Sequence, residues 1–392
     1  AFILAFLFRT FEAEAFVIPT GSMAETLRGR HKDVTCEKCG YQHLAGASEG
    51  HIHEFGDVVG STCPMCRHIN RFPPDSPEEP YFTGDRIIVS KFVYDVSDPE
   101  RWDVVVFKYP FKAQDNYIKR LVGKPNETLK IAGGDIWVKP LDSDDPFTIA
   151  RKPPEKITAM MQTVHDTNYT PEALIDAGWP FRWQATDTAQ WDVQPTEVDH
   201  GDIHLARKTC TVKASSADDP AWLRYHHYIP MPSDWNAVED GDEPPAPPER
   251  LITDFYGYNA FVNAFEYQNW QTEGYESPEA LGLHWVGDLA VECDVDITGD
   301  AGELLLDLVE GGRHYRCTID VGKGTATLSI VEADGSAGNF SDDNGENETA
   351  TVTGKAKVGT GEHRLRLANV DNQITLWVDD TVVKFDGPTT FA

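Results

Sequence analysis

The sequence predicts a mainly β protein: a β domain interrupted by a cysteine-rich, metal-held insert, then an antiparallel β-sandwich at the C-terminus. Three observations predict it. Short β-branched runs broken by Gly or Pro fill 84–139, two Cys-x-x-Cys pairs lie in a stretch with little apolar periodicity at 32–74, and regular apolar/polar alternation runs from about 281 to 392. The expected boundaries are 1–10 for an apolar stub, 11–140 for the β domain with its insert at 32–74, 141–280 for an irregular Pro/Asp-rich extension or linker, and 281–392 for the sandwich.

The stub is Ala1-Phe-Ile-Leu-Ala-Phe-Leu-Phe8. Crossing a bilayer takes about 20 apolar residues, so this run alone cannot. It reads as the last turns of a truncated membrane anchor, with a short buried helix end as the alternative. Ala15-Phe-Val-Ile-Pro19 is a strand-like run stopped by proline. Thr20-Gly21-Ser22-Met23 follows as a turn, and Ala24-Glu-Thr-Leu27 as a helical start. After the insert, Pro73, Pro74, Pro77 and Pro80 form a stiff connector.

Arg86-Ile-Ile-Val-Ser90, Asp103-Val-Val-Val-Phe107, Tyr117-Ile-Lys-Arg-Leu-Val122, Thr128-Leu-Lys-Ile131 and Asp135-Ile-Trp-Val138 are the strands of the β domain. The next region is rich in Pro, Asp and Trp and includes the linker-like Glu239-Asp-Gly-Asp-Glu-Pro-Pro-Ala-Pro-Pro248. Alternating strands are then expected at 289–297, 303–309, 315–321, 325–331, 363–367 and 373–378, with Gly-containing breaks between several of them.

The chain carries 34 basic against 64 acidic side chains, a formal net charge of −30. Nucleic-acid binding is disfavoured, because phosphate contacts need clustered Lys and Arg. The charge describes a solvated acidic surface. Seven cysteines cannot form a complete disulfide framework. Cys36-Glu-Lys-Cys39 and Cys63-Pro-Met-Cys66 instead have the C-x2-C-x23-C-x2-C spacing of a zinc ribbon, in which four thiolates close a tetrahedral, structural Zn²⁺ site. Gly40 and Pro64 suit the tight turns. Disulfides are the alternative in an oxidising compartment. His51 and His53 read as loop histidines, since four thiolates suffice. Cys210, Cys293 and Cys317 fit no pattern; the last two sit in alternating strands, facing the core or each other.

A serine hydroxyl becomes nucleophilic when a base takes its proton, and a lysine can be that base if burial disfavours its ammonium form. Ser22, after a glycine at a strand end, and Lys119, flanked by apolar residues, are the candidates. Taken singly both signals are weak, and a lone strand lysine is ordinarily edge protection.

The order of the surrounding boxes is more specific. Phe16-Val-Ile-Pro-Thr-Gly-Ser-Met23 with Thr26-Leu27 resembles the nucleophile box of type I signal peptidases, the S26 serine peptidases. Gly84-Asp-Arg-Ile-Ile-Val-Ser-Lys91 with Arg101-Trp-Asp-Val-Val-Val-Phe107 resembles the family's next box. Tyr117-Ile-Lys-Arg-Leu-Val-Gly-Lys-Pro125 resembles the general-base box, and Gly134-Asp-Ile-Trp-Val138 the strand after it. The resemblance covers roughly 1–31 and 80–140 and implies a signal-peptidase-type β catalytic domain. Ser22 would be the nucleophile and Lys119 the base, with the Ser22 N–H and the Thr20 hydroxyl, where the family has a second serine, forming the oxyanion hole. Met23 would pack beneath them.

The chain departs from the family pattern at Glu25, at Asn126-Glu127 and, more seriously, in lacking the late box Gly-Asp-Asn-x-x-x-Ser-x-Asp-Ser-Arg, whose serine orients the lysine. The expectation is that 141–392 is a long insertion before a late box outside this segment.

The resemblance implies a serine endopeptidase cutting signal peptides with small residues before the cut, from exported preproteins, at the bacterial inner membrane with the catalytic domain on the extracytoplasmic side. Its partners would be preprotein signal peptides and membrane lipid, with no catalytic cofactor. The C-terminal region loosely resembles concanavalin-like jelly rolls of the laminin-G type, which implies a carbohydrate or protein ligand. Trp285, Trp377 and Tyr315 are either core residues or the lining of a sugar site. The rival function is a catalytically inactive surface binding module on a peptidase scaffold. A soluble, LexA-like self-cleaving repressor is disfavoured by the apolar start and the acidic charge.

Overall fold

The computed structural model describes residues 13–73, 77–78, 80–213, 215–216, 218–263, 282–342 and 345–391. The apolar stub at 1–10, Pro74 of the connector and residues 264–281 lie outside the described residues. Among the described residues no helix is long and apolar enough to cross a membrane. The protein is mainly β, and the chain divides into two units.

The first unit comprises Ala1–Pro99, Asp103–Arg120 and Met160–Trp285. Strand Ala13–Val17 pairs antiparallel with Arg86–Ser90, Phe16 opposite Ile87. Val104–Lys108 pairs with Asn116–Arg120, Val105 opposite Lys119. Within the cysteine-rich stretch, His31–Thr35 pairs with Gln42–Gly46 and with Tyr81–Phe82, and Val58–Thr62 pairs with Ile69–Arg71. Val34, Ala45, Ala47, Val58 and Phe72 make a small apolar core there. His53 is exposed on a short helix, Glu49–Phe55, rather than in a loop, because Ile52 of that helix packs on this core.

Residues 160–263, expected within an irregular extension or linker, are folded. Trp191–His200 and Ile203–Val212 form a long hairpin, Trp183–Ala185 pairs with Leu223–Tyr225, and Glu172–Asp176 and Pro232–Asp240 are helices. Phe261–Asn263 adds a strand to Val58–Thr62. These elements close a core of Cys36, Cys39, Cys63, Met65, Cys66, Leu174, Trp179, Leu205 and Trp235. The segment looks like a linker in sequence because each piece contributes only one or two apolar side chains. Its core partners are the cysteines more than a hundred positions away.

The second unit comprises Glu100–Trp102, Leu121–Ala159 and Val286–Ala392. Two antiparallel sheets share one core, as the alternation predicts. One has the order Leu289–Ile297, Gly361–Val370, Gln373–Val378, Thr381–Val382. The other runs Glu303–Glu310, Arg313–Asp320, Thr325–Val331, Ala337–Gly338, with Thr351–Lys355 also on Thr325–Val331. Ala326, Leu328 and Ile330 point inward from one strand and meet Leu365, Leu367, Ile374 and Leu376 from the other sheet. Cys317 is buried in this core with Cys293 packed against it, both as free thiols. Tyr315 and Trp377 are buried and Trp285 is 61% exposed, so the first two are structural aromatics.

Glu127–Ala132, Asp135–Pro140 and Thr148–Ile149 form a further sheet of this unit. It is tied to the sandwich by Lys152, whose amine pairs with Asp371 and lies 3.6 Å from Asp288, and whose N–H donates to Asp371 at 2.7 Å. Asp135, Asp288 and Asp371 all converge there. Burial first, then the Asp288 and Asp371 charges, raise the Asp135 carboxyl to about 6.

An unfolded aspartate releases its proton near about 3.9. The native state therefore holds more protons between that value and about 6. This group's stabilising contribution is present below the unfolded value and is lost as pH rises through about 6. Asp135→Asn is expected to raise the melting temperature at neutral pH and to leave it unchanged near pH 4, by calorimetry at both pH values.

Candidate active site and metal centre

Ile18 and Pro19 carry the chain out of the strand Ala13–Val17 into a turn at Thr20–Ser22. The turn is closed locally by the Ala24 N–H donating to Gly21 O at 2.9 Å and the Leu27 N–H to Met23 O at 2.8 Å. Residues 24–27 are thus a turn and an isolated bridge rather than the expected helical start. Two hydrogen bonds span only part of a loop that bends back at once. Asp85 staples the loop at both ends: its backbone exchanges bonds with Ile18 and Arg28, and its carboxylate accepts the Arg28 N–H at 2.7 Å. Met23 is buried at 8% exposure, whereas Thr20 and Ser22 are exposed.

Lys119 lies on the facing hairpin. Its Nζ is 2.7 Å from Ser22 Oγ and donates also to the Ile118 carbonyl at 2.8 Å. The two side chains meet across 97 positions of sequence. Among the described residues neither contact of the amine is a carboxylate. The burial expected for this lysine is not found: Lys119 is exposed. It sits in a two-stranded ribbon, where Ile118 and Arg120 turn to the better covered face and Tyr117 and Lys119 to the open one. Tyr117 gives it partial cover, with its ring centroid 5.7 Å from Nζ.

The four cysteines at 36, 39, 63 and 66 converge. All four are buried free thiols with sulfurs within 4.8 Å of one another; Cys36–Cys66 and Cys39–Cys63 are each 3.5 Å apart. A tetrahedron of thiolates about 2.3 Å from a zinc ion has edges of roughly 3.8 Å, so the set fits a tetrahedral metal. The two knuckles share one design. Gly40 N–H returns to Cys36 O at 2.8 Å and Arg67 N–H to Cys63 O at 2.9 Å. The residue after the second cysteine has positive φ in both, Gly40 at 70° and Arg67 at 59°. In arginine that conformation is uncommon. Here the guanidinium lies 3.3 Å over the Phe255 ring.

Charge supports the fit. Arg182, 7% exposed, donates to Met65 O at 3.2 Å and to Tyr225 Oη, and among the described residues pairs with no carboxylate. A divalent ion on four thiolates carries a net −2, and Arg182 and Arg67 place two positive charges at its edge. Burial and then the Arg182 charge push the His165 imidazole down to about 3, and burial followed by Arg182 and Arg67 does the same to His227. Arg182 and Asp85 are functional-site residues that the sequence motifs do not mark. Asp85 had a signal, a Gly-Asp pair at a strand start, whereas Arg182 had none.

Residues 65–181 match the family model described as "Signal peptidase, peptidase S26". The matched span contains Lys119 and excludes Ser22. The chain is similar to the signal peptidase I of Pseudomonas aeruginosa, 32% identical over 98 residues, which is 20% of this chain and 34% of that protein. It is 40% identical to the signal peptidase I of Aquifex aeolicus over 58 residues, 15% and 23% of the two chains. Against that of Pseudomonas fluorescens the identity is 29% over 154 residues, 31% and 54% of the two. The chain thus spans between about a quarter and about half of the length of these relatives. No solved structure matches it.

An unfolded histidine takes up a proton near about 6.5, while His165 and His227 resist it until about 3. Their stabilising contribution is present above the unfolded value and lost as pH falls through about 3. An acid titration followed by Trp fluorescence should show the first unit weakening below about pH 6.5. His165→Gln should flatten that limb.

Proposed function

We propose that this chain is the catalytic part of a membrane-surface serine endopeptidase that removes signal peptides from exported preproteins. The single observation behind this reading is the 2.7 Å contact between Lys119 Nζ and Ser22 Oγ. It occurs in a chain similar to signal peptidases I in its matched part.

In this mechanism the neutral Lys119 amine takes the Ser22 hydroxyl proton as Oγ attacks the scissile carbonyl carbon. The oxyanion that forms accepts hydrogen bonds from the Ser22 N–H and the Thr20 hydroxyl, donors each worth a few kcal/mol in comparable sites. Collapse expels the amine of the mature protein, which leaves with the proton from Lys119. Water then gives a proton to Lys119 and attacks the acyl ester, freeing the signal peptide and restoring Ser22. Because Lys119 stands open, a bound peptide supplies the apolar cover that favours a neutral amine.

Lipid contact fits the surroundings of the dyad. The Lys119 hairpin ends in Tyr109 and Phe111, the latter 89% exposed, and Ile88 on the strand paired with Ala13–Val17 is 79% exposed. The apolar residues 1–8 lead into that strand in sequence. Aromatic and aliphatic side chains offered to solvent in this way suit a membrane interface. The four cysteines would hold a structural Zn²⁺, which serves the fold and takes no part in proton transfer.

Two outcomes are expected. With a precursor peptide carrying an A-x-A site in lipid vesicles, Ser22→Ala and Lys119→Arg should each lose at least about a thousandfold in kcat/KM, since a guanidinium keeps its proton. The parent's pH profile should rise through a basic limb that the arginine variant lacks. Cleavage by Lys119→Arg at the parent rate would remove Lys119 from the mechanism. Elemental analysis should find about one zinc per chain, and stripping it should shift the emission of Trp179 and Trp235 to the red as their core opens.

A further inference from the structure

Residues 256–263 reach two places within the first unit. Toward the metal knuckle, a methyl group added at Gly257 would lie 3.3 Å from Pro64, which stands between Cys63 and Cys66. Ala260 O accepts the Thr62 N–H at 2.8 Å, and Phe261 pairs with Ser61 on the strand that delivers Cys63. Toward the nucleophile, the ring of Tyr258, 3% exposed, fills a notch lined by two glycines. A methyl group at Gly21 would lie 2.1 Å from Tyr258 Cε1, and one at Gly46 2.5 Å from the same atom. The Tyr258 hydroxyl donates to Arg30 O at 3.3 Å, and Tyr256 stacks behind the ring with centroids 6.0 Å apart.

Gly21 immediately precedes Ser22. The outer side of that turn is open, since Thr20 and Ser22 are exposed, so its inner side determines where it stands. An aromatic ring at this distance leaves no space for the turn to settle inward. We propose that Tyr258 is a positioning residue. Its ring holds the Gly21–Ser22 turn at the height that aligns Ser22 with Lys119, and the metal knuckle holds the ring there through Pro64 and the strand pair at Ser61. Occupancy of the cysteine centre thereby sets the geometry of a site with which it shares no atom. The proposal rests on the Ser22–Lys119 reading and on a metal bound by the four cysteines. A misplacement of about 1 Å in such a pair costs on the order of a hundredfold in rate.

The test uses the chain with Ser22→Cys. Alkylation of the introduced thiol by iodoacetamide is measured against pH, by mass spectrometry of the peptide containing position 22. A neighbouring ammonium lowers the midpoint from the free thiol value of about 8.5. The chain carrying Ser22→Cys alone is expected to show a lowered midpoint. Adding Tyr258→Leu should raise it by about one pH unit at unchanged zinc content, and Tyr258→Phe, which keeps the ring, should leave it in place. Removing zinc from the Ser22→Cys chain with a chelator should raise it as well, and adding zinc back should restore it. With Ser22 intact, Tyr258→Leu should lower kcat about a hundredfold at constant KM.

A lowered midpoint that neither Tyr258→Leu nor zinc removal moves, in chains still folded by circular dichroism, overturns the positioning role and leaves the dyad standing. An ordinary thiol midpoint in the Ser22→Cys chain overturns the dyad itself. Should Tyr258→Leu fail to fold, Tyr258→Met takes its place, and a midpoint that it leaves at the Ser22→Cys value overturns the positioning role.

Discussion

The first unit depends on four sulfurs standing within 4.8 Å of one another. Buried thiols that close, with no metal, form a poor core. Hydrogen bonds from Cys39, Cys63 and Cys66 drive the Cys36 thiol down, while burial drives that of Cys66 up. A tetrahedral divalent ion would make all four thiolates ligands at once. Around them, Trp235 donates its indole N–H to Cys66 O at 2.9 Å, Arg182 reaches Met65 O, and Lys38 pairs with Glu239 at 2.9 Å. Each of these contacts fixes a late part of the chain to an early one. Segments too sparse in apolar residues to fold alone are made into one body by a centre of very small volume.

The proposed catalytic pair has the opposite character. Ser22 and Lys119 are exposed, and their approach is set by the elements that carry them rather than by enclosure. Asp85 fixes the start and the end of the Ser22 loop, and the register Val105–Lys119 fixes the lysine on its ribbon. What is prepared is position. The low dielectric that a lysine base needs is left to whatever covers the site.

Much of this was legible in the sequence, for identifiable reasons. The strand Thr325–Val331 alternates so regularly that its inward side chains could be named in advance. The Ser22 and Lys119 pairing followed from the order of several short boxes, each weak by itself. The cysteine set followed from spacing alone. The exposure of Lys119 is not legible in the sequence, because its apolar neighbours along the chain are not its neighbours in space. On a strand, Ile118 and Leu121 cannot both share the face of Lys119, and a two-stranded ribbon has no second layer to bury it. The fold of 160–263 was invisible for a different reason. Leu174, Trp179, Leu205 and Trp235 have no common period, and only the cysteine core gives them a common surface. Tyr258 left no trace either, because a wedge is defined by the absence of side chains opposite it.

The Asp85 staple has a consequence for how such a chain can arise. Arg28 and Asp85 exchange backbone and side-chain hydrogen bonds, so the polypeptide leaves the hairpin of Ala13–Val17 and Arg86–Ser90 and re-enters it at a single point. Between them lies the whole cysteine-rich stretch, yet the strands Ala13–Val17 and Arg86–Ser90 pair as the arms of one hairpin would. The entropy of closing a loop grows only with the logarithm of its length, so lengthening this one adds little to the cost of forming the hairpin. To that hairpin, the intervening sequence is an enlarged turn. Such a topology lets chain be added between Ser22 and Lys119 without parting the two side chains.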